Sequence, residues 1–108
     1  MSNQVMDITE KMMTLDLAKI QDSMKDLADD WEYIESEGAL KKTFQFKGFL
    51  KTMSFVNAVA WQANLQMHHP DMTVSFNKCV IKITTHDSGN QVTQKDFELA
   101  QAIDQLKA

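Results

Sequence analysis

The stretch from Phe49 to Gln66, with Pro70 shortly beyond it, most constrains the fold of this chain. Apolar side chains recur along the stretch at helical spacing, so it predicts one long helix. They cover so much of the circumference that the helix needs partners on more than one side, which a sheet and a second subunit could supply. Pro70 disfavours the helical conformation of the residue before it. His68 and His69 are therefore predicted to lie at a helix-to-strand junction, where side chains can converge on a cleft.

Shorter patterns on both sides of the long helix predict the other elements. In chain order these are a helix near 15–28, strands at 31–34 and 40–46, the long helix, strands at 73–76 and 79–85, and a final helix that runs to 106. The final helix opens with Thr93-x-x-Asp96, which has the form of a capping box. We predict an α+β fold of order α-β-β-α-β-β-α, in which a four-stranded antiparallel sheet has helices packed on one face. Residues 1–14 are predicted to be a loosely ordered lead-in to a single domain at 15–108.

Composition excludes several classes of function. At 108 residues the chain has the size of one domain, and its net charge of −4 argues against direct nucleic-acid binding, because phosphate recognition needs clustered Lys and Arg. No apolar run approaches the length of a membrane span. The single cysteine, Cys79, cannot form an internal disulfide and is expected to be a small buried hydrophobe. A cytoplasmic location is therefore expected.

The three histidines of the chain are His68, His69 and His86. Imidazole is the only side chain whose ordinary pKa, about 6.5, lets it exchange a proton near neutral pH. Two adjacent imidazoles before a proline, with a third at the end of a strand, favour proton transfer over the simpler alternative of exposed loop residues. A zinc site built from all three is a further alternative. It is disfavoured because adjacent residues rarely direct both rings at one ion, so no metal is predicted.

Together these motifs resemble the pterin-4a-carbinolamine dehydratase family, also known as the dimerization cofactor of a homeodomain transcription factor. The resemblance runs from about Leu27 to Leu106. It is carried by Leu40-x-Lys42-x-Phe44-x-Phe46, Phe49, Val59-Ala60, His68-His69-Pro70-Asp71, Phe76-Asn77, Thr85-His86-Asp87 and Thr93-x-x-Asp96-Phe97 with Leu99-Ala100. The family match implies a hydro-lyase that dehydrates 4a-hydroxytetrahydropterin to quinonoid dihydropterin and so supports an aromatic amino-acid hydroxylase.

The resemblance also implies roles for individual residues. His68 and His86 correspond to the acid/base pair and His69 to a residue that orients the pterin. The implied substrate-binding residues are Met67, His68, His69, Pro70, Thr84, Thr85, His86, Asp87 and Asp96. For Asp96 two interpretations remain open, a helix cap alone or a carboxylate beside a site histidine. No cofactor is implied, because the pterin is the substrate. A homodimer or homotetramer is expected, and any protein partner is unknown.

The chain departs from the family pattern at several positions. Asn64 replaces a usual acidic residue, Met72 replaces a usual aromatic one, and Gly48 replaces an Asp that often caps the long helix. The loop at 87–92 is about one residue longer than usual and lacks a common Gly-Gly pair. These differences motivate an alternative function, in which a catalytically weak family member acts as a protein-binding or assembly module.

Overall fold

The computed structural model describes residues 13–106, so most of the predicted lead-in lies outside the described residues. The elements are α1 (Leu17–Met24), β1 (Glu32–Ile34), a 3-10 turn (Glu35–Glu37), β2 (Ala39–Gln45), α2 (Phe49–Gln66), β3 (Asp71–Val74), β4 (Lys78–Ile83), a second 3-10 turn (His86–Ser88) and α3 (Gln94–Leu106). This order confirms the predicted α-β-β-α-β-β-α fold. Within the described range, no helix has both the length and the apolar character needed to cross a membrane.

The four strands form one antiparallel sheet in the order β1-β2-β4-β3. The central pair β2 and β4 aligns Leu40 with Ile83 and Phe44 with Cys79, so these four side chains share a face. All four are buried, and α2 and α3 pack on this face. On the opposite face of β2 Ala39 is buried, Lys41 is half-buried, and Thr43 and Gln45 are exposed, so the period-two alternation is clear from residue 40 onward.

One charged side chain lies on the buried face of the sheet. Lys42 is placed between the core residues Leu40 and Phe44, and its ammonium lies 4.8 Å from the Phe44 ring centroid and 3.6 Å from Asp104 of α3. Asp104 also accepts hydrogen bonds from the Trp31 indole and from the backbone N–H of Ala28, each at 2.9 Å. The ammonium of Lys42, which is largely removed from water, is thus paired with the carboxylate of Asp104. The same carboxylate links α3 to the segment before β1 through its two hydrogen bonds.

The thiol of Cys79 is fully buried in the core. Burial raises its pKa, because a thiolate is poorly solvated in apolar surroundings. The thiol therefore remains protonated and packs as a small hydrophobe, as expected from its apolar neighbours in the sequence.

Element boundaries differ from prediction where side chains bond outside the regular structure. α1 begins at Leu17 because Asp16 caps it through Lys19 N–H at 2.9 Å, and it is shorter than the predicted 15–28. β4 ends at Ile83, before Thr84, whose hydroxyl donates to the carbonyl of Gly38 at 2.7 Å. The long helix has its predicted bounds of Phe49–Gln66.

The start of α2 offers a stabilising substitution. Gly48 precedes the helix with extended backbone and open space around its Cα, and no side chain caps the first turn, which also lacks an acidic residue. We expect Gly48→Asp to raise the free energy of unfolding by about 0.5–1 kcal/mol, because a carboxylate there accepts a free N–H and complements the helix dipole. Chemical denaturation measures the change. Gly48→Ala is the control, and equal stability of the two variants would contradict the capping argument.

Candidate functional site

Three separate segments bring the predicted site residues together. Met67 ends α2 in the left-handed conformation with φ of 53°, which turns the chain sharply so that His68 N–H still bonds to Ala63. The segment after β4 and the beginning of α3 approach from the other side. A cavity of about 130 Å³ lies between them, lined by Met67, His68, His69, Thr85, His86, Asp87 and Lys95.

His68 and Asp96 form the shortest polar contact in the site. Their Nε2 and Oδ1 atoms are 2.6 Å apart, and the Asp96 side chain is fully buried. An ionised carboxylate only accepts hydrogen bonds, so Nε2 of His68 donates the proton between them. Nδ1, the other ring nitrogen of His68, takes no part in this contact. When the His68 ring is protonated, the contact with Asp96 is an ion pair.

Asp96 is both a helix cap and a carboxylate beside His68, so the cap is not its sole contact. Its Oδ2 accepts from the backbone N–H of Thr93 at 2.7 Å, which is one half of the predicted capping box. The same oxygen accepts from the hydroxyl of Thr85 at 2.8 Å, while Oδ1 faces His68. The two threonine hydroxyls are also 2.7 Å apart. One carboxylate therefore fixes the start of α3, the end of the β4 segment and the histidine ring.

The other two histidines face each other. The rings of His69 and His86 are stacked with centroids 5.8 Å apart and an angle of 29° between their planes. Both rings are exposed, in contrast to His68. Nδ1 of His86 is also 2.9 Å from Oδ1 of Asn90 in the following loop. The site thus contains one histidine paired with a buried carboxylate and two that are accessible to a ligand.

A second, more open hollow of about 450 Å³ adjoins the histidines on the α2 side. It is mainly apolar and is lined by Ala60, Ala63, Asn64, Met67, His68, His69, Pro70 and Met72. It shares Met67, His68 and His69 with the smaller cavity. Asn64 and Met72, which the sequence analysis singled out as differing from the family pattern, thus line the same hollow as His68 and His69.

The predicted binding residues differ in where their side chains go. Pro70 is mostly buried and forms part of the wall of the apolar hollow, and Asp87 lines the small cavity. The hydroxyl of Thr84 instead bonds to Gly38, so this side chain lies in a different cleft of about 430 Å³, which His86 also borders. Among residues 13–106, no group of His, Cys, Asp and Glu side chains is arranged to hold a metal ion.

Sequence reasoning missed two polar residues at the site. Lys95 lines the small cavity from the first turn of α3, and Asn90 contacts His86. Lys95 directly precedes Asp96, so the capping box predicts that Lys95 lies in the first turn of α3. The motif does not predict the direction of the Lys95 side chain. The role of Asn90 depends on the path of the 86–91 loop, which no motif specified.

Comparison with known proteins gives a consistent result. The family described as Pterin 4 alpha carbinolamine dehydratase matches residues 13–106. A provisionally named pterin-4-alpha-carbinolamine dehydratase of Legionella pneumophila is 41% identical over 92 residues, covering 85% of this chain and 80% of the relative. A protein of Nitrosospira multiformis with the same provisional name is 42% identical over 95 residues, covering 88% and 80%.

Solved structures agree with the fold. A transcriptional coactivator/pterin dehydratase from Brucella melitensis superimposes with a TM-score of 0.82 at 25% identity, covering 89% of this chain and 100% of that one. A pterin dehydratase-like protein identified as a RuBisCO assembly factor of the alpha-carboxysome has a TM-score of 0.60 at 20% identity, covering 71% and 88%, and shares the fold. With the family match extending over the whole described range, this chain belongs to the pterin-4a-carbinolamine dehydratase family.

Proposed function

We propose that this protein is a hydro-lyase that converts 4a-hydroxytetrahydropterin into quinonoid dihydropterin and water, in support of pterin recycling for an aromatic amino-acid hydroxylase. The observation that carries the proposal is the pairing of His68 with the buried Asp96 at a cavity that His69 and His86 also line. Family membership supports the same substrate class. Such a site supplies both a proton donor and a proton acceptor, which dehydration needs.

In the proposed reaction His68 acts as the general acid. Its protonated ring donates from Nδ1 to the C4a hydroxyl while Nε2 remains bonded to Asp96, so the C4a–O bond breaks and water leaves. The positive charge on the ring before transfer is stabilised by the carboxylate. General acid–base assistance of this kind contributes about 10²–10⁴-fold in rate.

His86 acts as the general base in the same step. It takes the N5 proton of the pterin, and the electron pair of the N5–H bond forms the C4a=N5 double bond of the product. Solvent then returns the proton from His86 to His68, so protons balance over the cycle. We assign to His69, whose ring stacks on that of His86, the role of orienting the flat pterin ring.

The wild-type protein tests the proposal. We expect it to accelerate the dehydration of enzymatically generated 4a-hydroxytetrahydropterin, followed by absorbance, in proportion to protein concentration and above the buffer rate. A folded wild type that produces no acceleration would contradict the proposal.

That negative result would favour the second candidate function, a protein-binding or assembly module. The observation behind this candidate is that Asn64 and Met72, two departures from the family pattern, line the hollow next to His68 and His69. Asn64→Glu then becomes the informative variant, because it restores the usual acidic side chain. Activity gained on this change would identify a member whose catalysis has weakened.

We also propose that the protein self-associates through α2. One side of this helix packs in the core through Thr52, Phe55, Val59 and Ala63. On the same helix Leu50 and Trp61 are 79% and 63% exposed, and Phe49 and Leu65 are also exposed. Large apolar side chains clustered on one exposed helix are typical of an interface between subunits.

Light scattering tests self-association. We expect the wild type to be a dimer or tetramer at micromolar concentration and Trp61→Glu to shift it toward monomer, because a buried unpaired charge is costly at an interface. Gln101→Glu on α3 adds the same charge at another exposed position and is expected to leave the assembly intact. A monomeric wild type would contradict the proposal.

A further inference from the structure

We propose that Asn90 is a positioning residue that holds His86 in the tautomer with its proton on Nδ1. The catalytic meaning of this assignment rests on the proposed function, whereas the tautomer itself does not. The contact joins Nδ1 of His86 to Oδ1 of Asn90 at 2.9 Å. An amide oxygen only accepts hydrogen bonds, so in this contact Nδ1 must donate. Nε2 then carries the free lone pair and is the nitrogen left for a ligand.

Backbone contacts place the side chain of Asn90 next to His86. Asn90 has a φ of 60°, in the left-handed region that Asn tolerates better than most residues. Its N–H donates to the carbonyl of Thr85 at 3.2 Å, which closes the 86–89 segment into a tight loop. Neighbouring Gln91 pairs with Thr85 as an isolated bridge. These contacts place the side-chain amide of Asn90 next to the ring of His86.

A second contact holds the loop against the turn before β2. A Cβ placed on Gly38 would lie only 1.9 Å from the carbonyl oxygen of Asn90, so the two backbones touch directly. The carbonyl of Gly38 also accepts from the hydroxyl of Thr84 at 2.7 Å. Asn90 is thus supported from its own loop and from a separate part of the chain.

The assignment gives His68 and His86 opposite tautomers. Asp96 fixes the proton of His68 on Nε2, and Asn90 fixes the proton of His86 on Nδ1. The contact with Asp96 becomes a charge-assisted hydrogen bond whenever His68 is the proton-carrying cation of the reaction, whereas the amide of Asn90 is a neutral acceptor for His86. His68 is therefore suited to donate a proton and His86 to accept one at Nε2. This difference separates the roles of two histidines that the sequence could not distinguish.

Nitrogen-15 NMR of the histidine rings tests the tautomer without any substrate. At pH 8.5 and above, well past the ordinary imidazole pKa of about 6.5, we expect His86 of the wild type to show a protonated Nδ1 and an unprotonated Nε2. Asn90→Gly keeps the left-handed backbone and removes the amide, so its His86 is expected to shift toward the Nε2–H form. Asn90→Asp retains an acceptor and is expected to keep the proton on Nδ1. A wild-type His86 protonated on Nε2, or one that Asn90→Gly leaves unchanged, would overturn the proposal.

Steady-state kinetics tests the consequence for catalysis. We expect Asn90→Gly to lower kcat/KM by about 10- to 100-fold, by analogy with the loss seen when a partner that orients a metal-binding histidine is removed. Gln91→Ala alters the adjacent exposed side chain and is expected to change neither kcat/KM nor the tautomer. Unchanged kcat/KM in Asn90→Gly with an active wild type would overturn the positioning role. An inactive wild type with the expected NMR spectrum would overturn the proposed function and support the tautomer assignment.

Discussion

His68→Gln is expected to lower kcat/KM for 4a-hydroxytetrahydropterin by about 10²–10⁴-fold while leaving the protein folded. The glutamine amide can occupy the position of the ring Nε2 and donate to Oδ1 of Asp96, which His68 contacts at 2.6 Å. The buried carboxylate therefore keeps a hydrogen-bond partner. The amide cannot exchange a proton near neutral pH, so the general acid is lost. The rate and the thermal midpoint are measured on the same preparation.

His68→Ala is the comparison that separates chemistry from stability. It removes the proton donor and also deprives Oδ1 of Asp96, which is fully buried, of its partner. We expect a similar loss of kcat/KM together with a stability loss of about 1–3 kcal/mol, the cost of an unsatisfied buried polar group. If His68→Gln retained wild-type kcat/KM, His68 would not be the acid and the proposed division of roles would be wrong.

The sequence predicted the fold well because its strongest patterns act locally. The bounds of α2 follow from helical periodicity and from Pro70, and the period-two alternation of a strand explains why Leu40 and Phe44 share the buried face of β2. The ends of β4 and α1 were less well predicted. A single side-chain hydrogen bond marks each boundary: Asp16 caps α1 locally, whereas the hydroxyl of Thr84 bonds to Gly38, which is distant in sequence.

Most residues of the candidate site could be predicted from the sequence, but the hydrogen bonds that connect them could not. The motif spacing indicated His68, His69 and His86, and the structure places all three around one cavity. The capping box indicated Asp96 without showing that its two oxygens serve different partners. Asn90 was missed because its contact with His86 depends on the geometry of the loop, which no sequence motif specifies.

The close approach of Gly38 to that loop leads to the second large expected effect. Gly38→Ala is expected to lower the free energy of unfolding by about 3 kcal/mol or more. A left-handed alanine alone costs about 1–2 kcal/mol, and Gly38 has a φ of 59°. The added methyl would also lie 1.9 Å from the carbonyl oxygen of Asn90, so one of the two backbone segments must move. Chemical denaturation measures the loss.

Gly89→Ala is the matched control, because Gly89 also has a positive φ, of 75°, but has open space where a Cβ would lie. We expect Gly89→Ala to lose only the stability that a left-handed alanine costs. The difference in unfolding free energy between the two variants therefore measures the steric clash of the Gly38→Ala methyl with Asn90. Displacement of Asn90 in Gly38→Ala should also weaken its contact with His86 and lower kcat/KM in the molecules that remain folded. Equal stability losses in the two variants would mean that the 86–91 loop moves away from the added methyl with little loss of free energy. The rigidity that holds the His86 tautomer would then have to come from the Thr85 hydrogen bonds alone.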